Sequence, residues 1–133
     1  MAPTKHFPIP LSGQFESNGR RLILTSPLIY IDPDKNLYIE VPVGFETDFN
    51  SVPLGLYNVF PPWSYPEAGV VHDWLYKTPG SFTRAQCDDI HRRILDLLGC
   101  PWIKRQAAWL ALRAGGWKPW SNYRQIDGKL ASK

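Results

Sequence analysis

Apolar residues occur in short runs in the first third of the chain and follow a helical repeat in the second half. Three runs rich in β-branched and aromatic residues, at 21–25, 28–31 and 37–41, are separated by turn-forming residues such as Pro27 and Pro33. Runs of this composition between turn residues are typical of short strands. The pattern predicts a small antiparallel sheet or meander.

Three helices are predicted after residue 66, and turn or capping residues set their limits. The predicted helices run from Glu67 to about Lys77, from near Thr83 to Gly99, and from Pro101 to Gly115-Gly116. Thr83 and Gln86 have the spacing of a capping box, which satisfies free backbone N–H groups at a helix start. The first two helices are joined by the short link 78–80, which predicts a helical hairpin.

Together these elements predict an α+β fold with an N-terminal antiparallel β-sheet or meander and a C-terminal helical hairpin plus third helix. The predicted organisation is a single domain over residues 1–133, with an N-terminal arm (1–19), a β region (20–49), a proline-rich packed loop (50–66), three helices (67–116) and a C-terminal tail (117–133). This length suits one domain that buries roughly two thirds of its unfolded surface. The loop is too apolar to be disordered, and the polar tail is expected to lie over the surface.

Charge and aromatic content narrow the classes of function. Fifteen Lys and Arg residues against twelve Asp and Glu residues give a net charge of +3, which is too small to indicate a nucleic-acid-binding protein. Tryptophans near basic residues after residue 100 suit stacking on bases, but core and edge aromatics beside a solvated basic face are the favoured interpretation. The residues concerned are Trp102, Trp109, Trp117, Trp120, Lys104, Arg105, Arg113 and Lys118.

Targeting segments and cysteine usage bear on the compartment. Residues 1–10 contain no apolar segment of a signal peptide, and no apolar run approaches the length of about 18 residues that a membrane helix needs. We therefore expect neither export by a cleaved signal nor a membrane span. Cys87 lies in a predicted helix and Cys100 just beyond its end, so free thiols and a reducing compartment are expected.

The segment Gly69–Tyr76 places a His, an Asp and a Tyr among apolar residues with helical spacing. His72 and Tyr76 share a helix face at i, i+4, and Asp73 lies about 100° around the axis from His72. Polar groups on a buried face need partners. His72 and Asp73 are therefore either a hydrogen-bonded structural pair or a chemical site, and Tyr76 is either part of that site or a core residue with a satisfied hydroxyl.

The second predicted helix supplies a carboxylate for this site. Asp88 and His91 fall at i, i+3 beside its apolar stripe. Antiparallel packing of the hairpin brings Asp88 near His72. A carboxylate that accepts a hydrogen bond from one imidazole nitrogen fixes the tautomer and leaves the other nitrogen free as a base or ligand. The predicted catalytic residues are thus His72, Asp88 and Tyr76.

Several motifs in a fixed order link the chain to a family. They are Val41 to Pro53, Pro61-Pro62-Trp63, Val71 to Tyr76, Cys87-Asp88, and Gly115-Gly116-Trp117 with Trp120. This succession, over roughly residues 37–120, resembles domain-of-unknown-function family 1353. The polar positions characteristic of that family match Asp48, Ser51, His72, Asp73, Tyr76 and Asp88. At position 91 the family resemblance leads us to expect an apolar aromatic residue, but this chain has a histidine.

The resemblance implies a protein encoded by a tailed bacteriophage or prophage. The expected location is the cytoplasm of the bacterial host, with incorporation into the virion as an alternative. The expected partners are other phage virion proteins or a host protein. The oligomeric state stays open.

The paired helices also resemble the active-site helices of the phospholipase A2 superfamily. The resemblance implies His72 as general base, Asp73 as a calcium ligand and Asp88 as the carboxylate that orients His72. The glycine-rich calcium loop and the disulfide framework of the secreted members are missing, and Asp48 is the residue expected to replace the lost oxygen ligands. A divalent metal, with calcium as first choice, is therefore the expected cofactor if there is one.

The loop before the helices has two interpretations. Thr47, Asp48 and Ser51 either support a metal site or form an Asx or Ser/Thr turn, and the turn is the favoured one. The leading hypothesis for the whole protein is a phage accessory hydrolase, metal-assisted or water-activating, that acts on a host ester, amide or envelope component. The alternatives are a non-enzymatic virion component such as a tail or baseplate adaptor, and an inhibitor of a host protein that binds through the basic, Trp-rich C-terminal third.

Overall fold

The protein was analysed as a computed structural model. The structure describes residues 4–17, 21–47, 64–80 and 82–131, with side chains up to residue 126. Contacts along the chain divide it into two compact units, Met1–Asp48 and Phe49–Lys133. The first contains the strands and the second the helices. This arrangement confirms the α+β class, whereas a single domain stays a prediction.

Within its described residues, the first unit forms two small antiparallel sheets. One has the strand order β1-β2-β5 and the other pairs β3 with β4. The strands are β1 (Gly13–Phe15), β2 (Leu22–Leu24), β3 (Leu28–Asp32), β4 (Leu37–Val41) and β5 (Glu46–Thr47). The three predicted strand segments are confirmed as β2, β3 and β4. The sequence missed β1, which lies in the predicted arm, and β5, because both are too short to show an alternating pattern.

The β3–β4 hairpin places one face of each strand in the core. Leu28 pairs with Val41 and Asp32 with Leu37 across the hairpin. A 3-10 turn over Pro33–Lys35 joins the strands, and Asn36 closes it in the left-handed region at φ 54°. Asn tolerates that conformation better than most residues, because its short side chain forms local hydrogen bonds. The proline- and aspartate-rich turn was therefore predictable.

The core of the first unit includes part of the predicted N-terminal arm. Phe7 is buried and stacks on Tyr30 with ring centroids 5.4 Å apart. His6 Nδ1 donates a hydrogen bond to the backbone oxygen of Ile31 at 2.9 Å. The Tyr30 hydroxyl donates to Asp32 Oδ2 at 2.7 Å, and both residues are fully buried. The arm is thus fastened to the hairpin by packing and by hydrogen bonds.

The described residues of the second unit form four helices. They are α1 (Pro66–Lys77), α2 (Arg84–Leu97), α3 (Trp102–Gly115) and α4 (Trp117–Ala131). The predicted capping box is confirmed, because Gln86 N donates to Thr83 Oγ1 at 3.2 Å and Thr83 N donates to Gln86 Oε1 at 2.9 Å. None of the helices in the described segments is long and apolar enough to cross a membrane.

The predicted surface tail is wrong for residues 117–131, which form α4. The sequence indicated a stop at Gly115-Gly116, but Gly116 keeps right-handed helical angles at φ −73° and ψ −13°, so a new helix starts at the next residue. Trp120 packs edge-on against Tyr76 at 5.2 Å, and Arg124 donates to the backbone oxygen of Tyr76 at 2.6 Å. The fourth helix therefore covers the C-terminal end of α1.

Candidate functional site

The core of the second unit contains a hydrogen-bonded His–Asp pair. His72 in α1 places Nε2 2.8 Å from Asp88 Oδ1 in α2, and both side chains are fully buried. The ring of His72 also lies 5.1 Å from that of His91, and Tyr76, one turn later in α1, contacts Asp88, which is one turn earlier in α2. Contacts that advance along α1 therefore move back along α2, so the two helices are antiparallel. The predicted antiparallel hairpin and the predicted contact of His72 with Asp88 are both confirmed.

Tyr76 shares the same carboxylate oxygen. Its hydroxyl donates to Asp88 Oδ1 at 2.6 Å, and its ring lies 4.1 Å from that of His72. Burial, reinforced by the hydrogen bond to Asp88, raises the pKa of Tyr76 well above its ordinary value. The phenol is therefore a neutral donor at all physiological pH values, and it acts on His72 through Asp88.

Two arginines occupy the other side of the carboxylate. Arg113 in α3 places Nη1 2.8 Å from Asp88 Oδ2, and Arg84 Nη1 lies 3.6 Å from the same oxygen. Arg84 also donates to the backbone oxygens of Leu112 at 3.0 Å and Arg113 at 3.3 Å, near the end of α3. Asp88 thereby connects α1, α2 and α3. A buried charge needs such pairing to be tolerated.

The charge state of Asp88 follows from these contacts. Burial works to raise the pKa of its carboxyl, but hydrogen bonds from His72, Tyr76 and Arg113 outweigh burial, and the pKa lies below its ordinary value. The group is a carboxylate at neutral pH. Because a carboxylate only accepts, Nε2 of His72 donates the hydrogen bond to Oδ1 of Asp88.

Two buried imidazole nitrogens lack a partner. Within the described residues, Nδ1 of His72 and Nδ1 of His91 form no hydrogen bond. Burial, together with the neighbouring His72, lowers the pKa of His91 to about 3, so His91 is neutral at pH 7. A buried polar atom without a partner is uncommon in a native protein and points to a catalytic role or a bound water or ion.

Gly116 makes room for the cluster where α3 and α4 meet. A Cβ atom at this position would lie 2.6 Å from the Tyr76 hydroxyl oxygen and 2.5 Å from the backbone oxygen of Leu112. Both distances are shorter than any real Cβ contact. Glycine is required here by space rather than by backbone angles. The Gly-Gly pair is thus a packing feature of the site.

Asp73 is buried at the position after His72 and has a different neighbour. Its Oδ2 lies 3.3 Å from Lys77 Nζ, one helical turn away. Glu67, also buried, has a pKa raised by desolvation. Across the residues that the structure describes, no group of three or more His, Cys, Asp or Glu side chains is arranged to hold a metal ion. The predicted metal role of Asp73 stays a prediction.

Three further predicted residues come from the loop before the helices. Thr47 is buried in β5 of the first unit. Asp48 and Ser51 lie outside the described residues. The structure brings together His72, Tyr76 and Asp88 of the predicted set.

Sequence reasoning missed both arginines of the cluster. Arg84 and Asp88 form an i, i+4 pair that the helical pattern alone can suggest. Arg113 was expected on a solvated face, and that expectation is wrong, because its guanidinium reaches the buried Asp88 across α2 and α3. Such a contact depends on how helices pack and leaves no periodic pattern in the sequence.

The fold and the site define an α+β protein with a buried His–Asp–Tyr–Arg cluster. Comparison with known families gives a match over residues 22–112 to a protein of unknown function, DUF1353. The match covers more than half of the chain, and the protein belongs to that family. No curated protein and no solved structure matches the chain at a significant level. The resemblance to phospholipase A2 is not shown by these comparisons.

Proposed function

We propose that this protein is a phage-encoded hydrolase in which His72 activates water and Asp88 orients His72. The observation that carries the proposal is the asymmetry of the imidazole ring. Nε2 is bound to an ionised carboxylate at 2.8 Å, whereas Nδ1 is buried without a partner among the described residues. An oriented imidazole with one free nitrogen is the arrangement that general-base catalysis requires.

The proposed step moves one proton. Nδ1 of His72 takes a proton from water while the water oxygen bonds to the carbonyl carbon of an ester or amide. The imidazolium that forms is stabilised by Asp88, and it then returns the proton to the leaving alkoxide or amine as the carbon–heteroatom bond breaks. Water and substrate supply all the atoms, so no oxidant or reductant is needed.

The remaining side chains act on Asp88. Tyr76, Arg113 and Arg84 together hold its two oxygens. These donors lower the proton affinity of the carboxylate, so the proton stays on His72 during the step. Tyr76, expected to be catalytic, is in this proposal a positioning residue.

We also propose that a divalent ion binds, independently of the proton transfer by His72. Asp73, the buried residue that follows His72, is its proposed ligand, and calcium is the first choice because the spacing of His72 and Asp73 resembles that of phospholipase A2. In the structure Lys77 neutralises Asp73 at 3.3 Å, and an ion would have to replace that ammonium group. The ion would polarise a carbonyl oxygen.

The test is hydrolysis of a substrate panel by the full chain. The panel contains chromogenic short- and long-chain esters, phospholipid vesicles, peptidoglycan and amide substrates, each with calcium or with chelator. We expect one class to be cleaved by the wild type and by the His6→Asn control, but not by His72→Asn. The control is matched, since His6 also uses one ring nitrogen in a hydrogen bond but lies in the first unit. Equal cleavage by the wild type and His72→Asn would overturn the proposal.

The alternative is a non-enzymatic phage virion component or an inhibitor of a host protein. One observation favours it: both carboxylate oxygens of Asp88 accept hydrogen bonds from side chains of neighbouring helices, as they would in a purely structural link. In that case His72→Asn should lower the thermal midpoint, and no substrate in the panel should be cleaved.

A further inference from the structure

One face of α3 is apolar and exposed along the whole helix. Ile103 and Leu110 are 75 % and 59 % exposed, and the alanines between and after them, Ala107 and Ala114, are exposed as well. Trp117, 58 % exposed, continues the same spacing into the first residue of α4. We call these five residues the α3 seam. Burying such residues in a partner removes large apolar side chains from water.

The spacing of the α3 seam is that of a helix-pairing surface. Its members recur at steps of four and three residues. At 100° per residue, the four members in α3 lie within about 60° of one another. A stripe this narrow with a 3-4 repeat is typical of a coiled-coil seam rather than of a helix facing a broad core. The core-facing side is opposite, where Ala108 and Leu112 are buried.

The charges beside the α3 seam are all basic. Residues 97–126 contain five Lys and Arg residues and no Asp or Glu. Arg105 pairs with Asp96 and Arg113 with Asp88. Lys104 and Lys118 are exposed, and neither forms an ion pair within the described residues. They flank the seam at both ends, where a partner would place its own charged positions.

These observations favour one kind of partner for the α3 seam. We infer that the α3 seam binds an amphipathic α-helix of another protein, with apolar residues on its contact face and acidic residues beside them. A second copy of this chain fits poorly. Two copies would bring the same basic residues, Lys104 and Lys118, to one interface, and like charges oppose pairing. This inference concerns a surface remote in sequence from His72 and does not rest on hydrolysis.

The experiment measures binding of a labelled helical peptide by fluorescence anisotropy. The probe, called the Glu peptide, has about four heptads with Leu at the a and d positions and Glu at e and g. A control, called the Lys peptide, has the same sequence with Lys at e and g. We expect the wild type to bind the Glu peptide and not the Lys peptide. Leu110→Glu should weaken binding more than about tenfold, because it places a charge at the centre of the contact. Ile126→Glu is the control, since Ile126 is an exposed helical residue outside the seam.

A charge swap separates this proposal from other uses of the surface. The double variant Lys104→Glu, Lys118→Glu should lose the Glu peptide and gain the Lys peptide, with an unchanged circular dichroism spectrum. Equal binding of both peptides, or binding that Leu110→Glu leaves unchanged, would overturn the inference. So would self-association in sedimentation that depends on Leu110, or seam-dependent binding to anionic vesicles without discrimination between the peptides. His72→Asn should bind the Glu peptide normally, so a failed hydrolase assay would leave this result intact.

Discussion

In the described part of the chain, two buried tyrosine–aspartate hydrogen bonds occur, one in each unit, and they differ in what surrounds them. In the first unit the Tyr30 hydroxyl donates to Asp32 at 2.7 Å, two residues along the same strand face. In the second, the Tyr76 hydroxyl donates to Asp88 at 2.6 Å across two helices, and the carboxylate also contacts a histidine and two arginines. The same pair of groups thus forms a local link in one unit and the centre of a three-helix cluster in the other.

This difference bears on whether the cluster around Asp88 serves stability or chemistry. The bond in the first unit joins two residues of one strand. In the second unit, Asp88 also accepts a hydrogen bond from His72, whose other ring nitrogen has no partner in the described part of the chain. If the cluster served stability alone, an apolar replacement would be adequate. The comparison therefore predicts larger and more varied effects of substitutions around Asp88 than around Asp32.

The largest expected effect is that of removing the shared carboxylate. Asp88→Ala should lower the free energy of unfolding by about 3–5 kcal/mol, because Arg113, Arg84 and His72 lose their common partner in a buried site. Asp32→Ala should cost about 1–3 kcal/mol, the range for one orphaned buried donor. Urea unfolding followed by tryptophan fluorescence measures both.

The neighbouring Asp89 is the control for the first substitution. Its side chain is 56 % exposed, so Asp89→Ala should stay within about 1 kcal/mol of the wild type. Equal losses for Asp88→Ala and Asp32→Ala would remove the distinction between the two pairs.

Removing only the hydroxyls tests whether the second pair also serves chemistry. Tyr76→Phe should cost about 1.5–3 kcal/mol, since it deletes a hydrogen bond to a charged acceptor, and Tyr30→Phe about 1–3 kcal/mol, since it leaves a buried carboxyl without that donor. In the proposed hydrolase, Tyr76→Phe should also lower kcat, because Asp88 loses one of the donors that hold it in place beside His72. Tyr30→Phe should leave kcat unchanged. A kcat unaffected by Tyr76→Phe would assign the hydroxyl to packing alone.

The two pairs also differ in how much of each the sequence predicts. In the first unit the run 28–31 predicts a strand, but Asp32 was expected in the turn that follows; β3 extends to Asp32 and so places it on the same face as Tyr30. In the helical unit, the short link before α2 predicts the contact of His72 with Asp88, whereas the hydrogen bond from Tyr76 to Asp88 was not predicted. Arg113 and α4 were missed because they depend on tertiary packing. At Gly116, a residue that usually ends helices is kept for space.

A smaller effect is expected from pH, and it arises in the helical unit. The pKa of His91 falls from its ordinary value of 6.5 to about 3, so the unfolded chain binds a proton below pH 6.5 that the folded protein does not. Stability is therefore fully present above pH 6.5 and falls as the pH drops toward 3, with a loss of about 2 kcal/mol by pH 5. The lowered pKa of Asp88 acts only near and below 3.8, so it does not contribute in this window.

The variant His91→Phe isolates that effect, and it restores the aromatic residue expected at this position. We expect the difference in unfolding free energy between pH 7 and pH 5 to shrink by about 2 kcal/mol in His91→Phe but to persist in His6→Asn. Denaturant titrations at the two pH values give the comparison. An undiminished difference in His91→Phe would place the titrating group elsewhere.

The smallest expected effect concerns a metal ion. If calcium binds through Asp73, the thermal midpoint should rise with the ion and fall back with chelator, because a ligand of the folded state stabilises it by mass action, by about 1.4 kcal/mol at ten times Kd. The gain is modest, since Lys77 already neutralises Asp73 and must be displaced. Asp73→Asn should abolish the rise, whereas Asp34→Asn in the first unit should keep it. No shift with calcium, magnesium or manganese in the wild type would remove the metal role proposed for Asp73 and would leave the proposed water-activating step to His72 and Asp88 without a metal.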